Sequence, residues 1–95
     1  MTAGIIRIRF ALPSQTLKEK RTIVKSVIER LRNRFNAAVV EADDLDTPAY
    51  ATIAAAVLSN DASHADSQLQ AIAAAIQEWR LDIELLNVET ELIAL

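Results

Sequence analysis

Residues 37–58 read AAVVEADDLDTPAYATIAAAVL, and the fold depends on how this stretch divides. Ala37 to Asp43 alternates, with Ala38, Val40 and Ala42 on one face and Val39, Glu41 and Asp43 on the other. Period two is the pattern of a strand. Tyr50 to Leu58 is almost wholly apolar, as a central strand covered on both faces would be. The segment between them is acidic, carries Pro48, and is far too short for a crossover helix. The two strands must therefore form an antiparallel hairpin, which excludes a parallel Rossmann-type sheet.

Gly4 to Leu12 alternates again, with Ile6, Ile8, Phe10 and Leu12 on one face and Ile5, Arg7, Arg9 and Ala11 on the other. Pro13 and Ser14 end this first strand. Thr16 stands three residues before Glu19, the spacing of a capping box in which each side chain satisfies a free N–H. The helix it starts is expected over Leu17 to Phe35. Leu17, Val24, Val27, Ile28, Leu31 and Phe35 form its core stripe. Asn36 suits a left-handed cap at its C-terminus.

Downstream of the hairpin, SNDAS offers Ser59 or Asp61 as an N-cap. A second helix follows over Ala62 to Trp79, buried through Ala65, Leu69, Ile72, Ala73, Ile76 and Trp79. The last strand lies within Asp82 to Ile93. Its alternation slips at Leu85–Leu86, which requires a bulge or a late start. The order is β-α-β-β-α-β. The simplest architecture is α+β: one ferredoxin-like domain over 1–95, with four antiparallel strands, two helices on one face of the sheet, and the other face open.

Composition agrees. Of the 95 residues, 52% are apolar, enough for a packed core and too many for a disordered chain. There is no cysteine, so disulfides and thiolate metal sites are excluded, and a reducing cytosol is the expected compartment. No apolar run approaches the roughly 20 residues that span a bilayer, and the first one is interrupted by Arg7 too early for a signal peptide.

Charge is unevenly distributed. Residues 1–34 hold nine Lys/Arg against two acids, +7, and residues 35–95 hold one base against eleven acids, −10, which sum to the net −3. Such asymmetry signals either a polyanionic partner or pairing between the two halves in the fold.

The residue types that carry catalysis are scarce. His64 is the one histidine and falls off the apolar stripe of its helix, as an exposed or capping histidine would. Gly4 is the one glycine, so no phosphate-binding glycine loop exists. Glu41, Asp43, Asp44 and Asp46 lack the glycine and spacing of a calcium loop and read as solvated charge. Acylphosphatases, which share this fold, cradle phosphate with an arginine and backbone amides after strand one. Here that loop reads ALPSQTL. No enzymatic activity, metal or small-molecule cofactor is expected.

Interaction residues are easier to name. Arg7 and Arg9 should project from the open sheet face, where Glu89 and Glu91 of the last strand are their expected cross-strand partners. On the first helix, Lys18, Arg21, Lys25 and Arg32 form a basic strip along one border of the core stripe. Lys20, Arg30 and Arg34 flank the other border. The turn Thr16–Arg21, TLKEKR, is basic where the helix dipole is already positive. Long basic stems covering the core rim explain such a strip structurally, and a phosphate-contacting face explains it functionally. No aromatic residue interleaves the strip, so base stacking is not expected there.

The run SQTLKEKRTIVKSVIERLRNRFN and the run AVLSNDASHAD, with its S-N-D-x-x-H spacing, resemble the uncharacterised bacterial YlxP-like family. The matching positions are Leu17, Lys18, Glu19, Lys20, Arg21, Arg32, Arg34, Phe35, Asn36, Ser59, Asn60, Asp61 and His64. The chain departs from the family pattern at LDTPAY, where members often carry a tryptophan-containing segment. The resemblance implies a ferredoxin-like fold and no established catalytic activity. It also implies, by gene neighbourhood beside ribosome-maturation factors, a ribosomal RNA or ribosomal-particle partner.

Two expectations follow. One is a cytosolic accessory factor that binds ribosomal RNA or a ribosomal particle through Lys18, Arg21, Lys25 and Arg32, with Arg7 and Arg9 assisting. The other is a non-catalytic interaction or regulatory module that forms a homodimer through its open sheet face.

Overall fold

The computed structural model describes residues 1–95. Its elements are β1 (Thr2–Ala11), α1 (Leu17–Arg34), β2 (Ala38–Asp43), β3 (Tyr50–Ser59), α2 (Ala62–Trp79) and β4 (Glu84–Ala94). The four strands form one antiparallel sheet in the order β2-β3-β1-β4, with both helices packed on one face. This is the ferredoxin-like β-α-β-β-α-β sandwich that the hairpin at 37–58 required.

Alternation along β1 is realised. Ile6, Ile8 and Phe10 are buried toward the helices, while Ile5, Arg7 and Arg9 lie on the open face. They meet Val24, Val27 and Leu31 of α1 and Ala65, Leu69, Ile72 and Ile76 of α2 in a single core. Removing this much apolar surface from water is the main stabilising term of the fold. Gly4 sits on the same buried face. A β-carbon there would lie 3.1 Å from Val57 Cγ2 and 3.2 Å from Leu69 Cδ1, so the chain's one glycine lets α2 approach β1 closely.

Two bulges shape the sheet. Between β1 and β4 the register shifts at Arg9/Phe10, which pair with Asn87 and Leu85 and leave Leu86 as the extra residue. This is the slip visible in the sequence. Between β2 and β3 the register shifts at Glu41/Asp43, with Ala42 extra. The second bulge was not expected, and it governs the site described below.

The helix starts are those of the capping signals. Thr16 Oγ1 accepts the Glu19 N–H at 3.2 Å, and Asp61 Oδ1 accepts the Ser63 N–H at 2.9 Å. Glu19 takes the N–H of Gln15 rather than that of Thr16, at 3.2 Å. The end of α1 differs from expectation: Asn36 is not left-handed, since the one non-glycine residue with positive φ is Asp44. Instead Phe35 leaves the helix in an extended conformation (φ −118°, ψ 144°) with its N–H still bonded to Leu31 O. That conformation carries the ring onto the core and allows the Ala37 N–H to close a tight turn on Phe35 O at 2.9 Å.

Candidate functional site

Of the nine cations in residues 1–34, the fold engages six, and the manner of each engagement locates what is left for a partner. Arg7 and Arg9 lie on the open face, as expected, but their ion-pair partners are not Glu89 and Glu91. Arg7 Nη2 lies 3.0 Å from Asp43 Oδ2, and Arg9 Nε lies 3.1 Å from Asp44 Oδ2. Glu89 does stand opposite Arg7 in the ladder, and Glu91 stands opposite Ile5. The correction comes from the bulge at Ala42. It places Asp43 opposite Thr52, on the open face, within reach of β1 across the narrow Ala/Thr surface of β3.

Asp44 is the pivot of this arrangement. Its φ of 60° puts it in the left-handed region, where aspartate is among the better-tolerated non-glycine residues. There its carboxylate accepts the Thr52 hydroxyl at 2.6 Å as well as the Arg9 guanidinium. These two hydrogen bonds, the Thr52 hydroxyl first, hold the Asp44 carboxyl below the ordinary aspartate value. Tyr50 supports Arg9 from the other side, with the guanidinium carbon 4.6 Å from the ring centroid. Together Arg7, Arg9, Asp43, Asp44, Thr52, Asn87 and Glu89 line an open cleft of about 310 Å³ without one apolar side chain.

Lys20 departs furthest from expectation. Rather than flanking the core border with its head in water, it is completely buried. Its ammonium lies 3.1 Å from Glu41 Oε2 and donates to the main-chain oxygen of Asp44. A buried ammonium requires such partners. The same carbonyl accepts the Thr47 N–H at 3.1 Å in the turn that follows β2, so it serves two donors. Glu41 and Asp44 are therefore not solvated loop charge. One turn residue holds a helix-side cation by its main chain and an open-face cation by its side chain.

The remaining engaged cations belong to α1. Arg32 Nη2 donates to Val39 O at 2.6 Å, so the guanidinium occupies a carbonyl on the outer edge of β2. Arg30 and Arg34 each lie 5.8 Å from the Trp79 ring centroid, and Arg34 is 3.6 Å from Glu78. Both bind α1 to α2. Pairing between the basic and acidic parts of the chain thus accounts for Arg7, Arg9, Lys20 and Arg34.

Lys18, Arg21 and Lys25 are left. All three are exposed and none has a carboxylate within ion-pair distance. Arg21 and Lys25 overhang a groove of about 370 Å³ between α1 and the edge of β2, floored by Val24, Ile28 and Val40. The predicted strip therefore persists, shortened by the loss of Arg32 to β2.

In the second motif, Asp61 caps α2 and Ser59 Oγ accepts the Asp61 N–H at 3.1 Å, while Asn60 and His64 are exposed. The motif builds a helix start. Beyond the polar cleft, the part of the open face formed by β2, β3 and β1 carries an apolar patch: Ala3, Ile5, Ala38, Ala56 and Leu58 surround a shallow depression, and Leu58 is 65% exposed. No helix is long and apolar enough to cross a membrane.

The family model described as "Protein of unknown function (DUF503)" matches residues 3–90. No curated protein sequence matches the chain. Among solved structures, a de novo designed protein with ferredoxin fold, LFR1, is similar at 17% identity and a TM-score of 0.56, covering 98% of this chain and 84% of that one. A dimeric ferredoxin-like protein from an uncultured marine organism is similar at 5% identity and a TM-score of 0.51, covering 100% and 98%. An amidase of the hydantoinase/carbamoylase family from Burkholderia phymatum is similar at 19% identity and a TM-score of 0.59, and the 99% of this chain that aligns corresponds to 28% of that one. At these identities the likeness establishes the fold alone.

Proposed function

The chain belongs to the DUF503 family of proteins of unknown function, and from that premise we propose that it is a non-catalytic accessory factor that binds RNA through the first turns of α1. The RNA in question is ribosomal, free or within a ribosomal particle, and the working compartment is the cytoplasm. One observation carries the reading: Lys18, Arg21 and Lys25 remain exposed and unpaired in a fold that engages every other cation of the basic segment. Unpaired cations along one helix border suit phosphates, and a site without aromatic residues suits backbone contact more than base readout.

Arg7, Arg9 and Arg32 are not part of this surface. Their partners already neutralise or occupy them, and recruiting them would break those contacts. The test is co-sedimentation of the protein with small ribosomal subunits at increasing salt. Binding should be salt-sensitive and should fall when Lys18, Arg21 and Lys25 are together changed to glutamine. Co-sedimentation unaltered by the triple change would overturn the assignment.

A second reading, a homodimer through the open sheet face, is favoured by the exposed apolar patch around Ile5 and Leu58. Leu58→Glu should abolish such a dimer in light scattering. A mass independent of that substitution would exclude this face.

A further inference from the structure

Lys18, Arg21 and Lys25 follow one side of α1, three and four residues apart. The same side continues to Glu29, four residues beyond Lys25 and exposed. Its carboxylate has no cation within ion-pair distance and accepts no hydrogen bond. Lys25 stands one turn before it without closing on it. Arg32 stands three residues after it and is held by Val39 O instead. The other acid of α1, Glu19, takes the Gln15 N–H at the helix start. Glu29 is therefore an uncommitted carboxylate on a border whose other uncommitted charges are all positive.

Arg21, Lys25 and Glu29 also line the groove of about 370 Å³ between α1 and the edge of β2. Its floor is apolar, formed by Val24, Ile28 and Val40, and Val40 is 54% exposed. The size is that of a cleft for one small ligand. A cationic rim, an apolar floor and one carboxylate are the parts that hold a nucleotide whose base has left its stack. The phosphates lie on the cations, the face of the base lies on the floor, and its edge meets the carboxylate.

We propose, on the footing of the RNA-binding role of α1, that this groove takes one unstacked guanine of a single-stranded RNA, with Glu29 accepting its Watson–Crick edge. The sign of the charge selects the base. An ionised carboxylate only accepts hydrogen bonds, and beside a phosphate chain it repels unless a donor meets it. Guanine presents two adjacent N–H donors, on the ring and on the exocyclic amino group, which match the two oxygens of one carboxylate. Adenine and cytosine set an amino group beside a bare ring nitrogen, and uracil sets one N–H between two carbonyl oxygens, so each brings a lone pair against Glu29. Paired bases keep these edges inside the duplex, which restricts the site to single strands. No aromatic side chain lies in the groove, so the base is held by the floor and by its edge rather than by stacking. Arg32 is not a contact of the base, because Val39 O already holds it.

The test is binding of the full chain to three end-labelled single strands, UUUGUUU, UUUAUUU and UUUUUUU, by fluorescence anisotropy at low salt. The guanine strand should bind at least about fivefold more tightly than either other, the size of one bidentate base contact. Glu29→Gln removes one acceptor oxygen from an exposed helical position, and circular dichroism establishes that it is folded. In that variant the preference should shrink to less than about twofold, while the all-uridine strand binds at least as well as it does to the parent. Equal binding of the three strands by the parent overturns the guanine site. If Lys18→Gln/Arg21→Gln/Lys25→Gln weakens all three alike, the RNA-binding role of α1 stands without it. A guanine preference that persists in Glu29→Gln also overturns the assignment to Glu29. A parent that binds none of the strands overturns both the site and the reading beneath it.

Discussion

Lys20, completely buried in the first turn of α1, lies 3.1 Å from the carboxylate of Glu41 in β2. The pair joins the helix layer to the hairpin that decides the fold. Its second contact, to the main-chain oxygen of Asp44, reaches the turn from which Asp44 holds Arg9 on the opposite face. The basic turn TLKEKR therefore contains residues of two kinds: Lys20 belongs to the interior, and Lys18 and Arg21 belong to the surface.

Removing Lys20 alone should be costly. Lys20→Met leaves Glu41 and the Asp44 carbonyl without their cation and should destabilise the fold by about 3 kcal/mol. Lys20→Met with Glu41→Leu should recover at least half of that, because an apolar pair of similar volume avoids the uncompensated charge. Urea unfolding monitored by the fluorescence of Trp79 gives both values. Equal stabilities for the single and double variants would show that the pair is not coupled.

Asp44 should make stability sensitive to acid. Its carboxyl is held below its ordinary value chiefly by the Thr52 hydroxyl and then by Arg9, so the folded state binds its proton less readily than the unfolded chain. The resulting stabilisation is present above the unfolded value of about 4 and is lost as pH falls through the lower folded value. Thr52→Val should lower stability at neutral pH and make the decline below pH 4 shallower. An acid limb identical in the two proteins would contradict this assignment.

The backbone at Asp44 adds a conformational requirement. At φ 60°, asparagine is tolerated and a β-branched residue is not. Asp44→Val should therefore be less stable than Asp44→Asn by about 1–2 kcal/mol beyond the loss of charge that both share. Thermal unfolding of the two variants compares them directly.

Arg32 separates structure from binding. Its hydrogen bond to Val39 O is charge-assisted and partly buried, so Arg32→Met should cost about 1–2 kcal/mol of stability. The same variant should bind RNA as the parent does. A stable protein with weakened RNA binding would return Arg32 to the interaction surface.

Much of this was legible in the chain. The alternation of residues 4–12, the Thr16 and Asp61 caps, the short acidic connection and the slip at Leu85–Leu86 led directly to the observed elements and their order. The partners of the charged residues were not legible. Lys20 lies at the border of the core stripe by helical angle, and whether its head turns inward depends on where β2 places Glu41 and the Asp44 carbonyl. Arg7 and Arg9 find Asp43 and Asp44 because of a bulge at Ala42, an alanine among alternating residues that carries no turn signal. Asn36 had the residue type of a left-handed cap, but the burial of Phe35 set the geometry of that helix end instead. Periodicity fixes which face a side chain occupies, and tertiary register fixes whom it meets.

The most direct test of the α1 assignment is the salt dependence of binding to a labelled single-stranded ribosomal RNA fragment. It is measured by fluorescence anisotropy for the parent and for Lys18→Gln/Arg21→Gln/Lys25→Gln. Each phosphate neutralised on single-stranded nucleic acid contributes about 0.7 to the slope of log K against log salt. Three lost contacts should therefore reduce the slope by about 2 and weaken binding at low salt, with the melting temperature unchanged. Equal slopes and affinities for the two proteins, or no binding by the parent at low salt, would contradict the account.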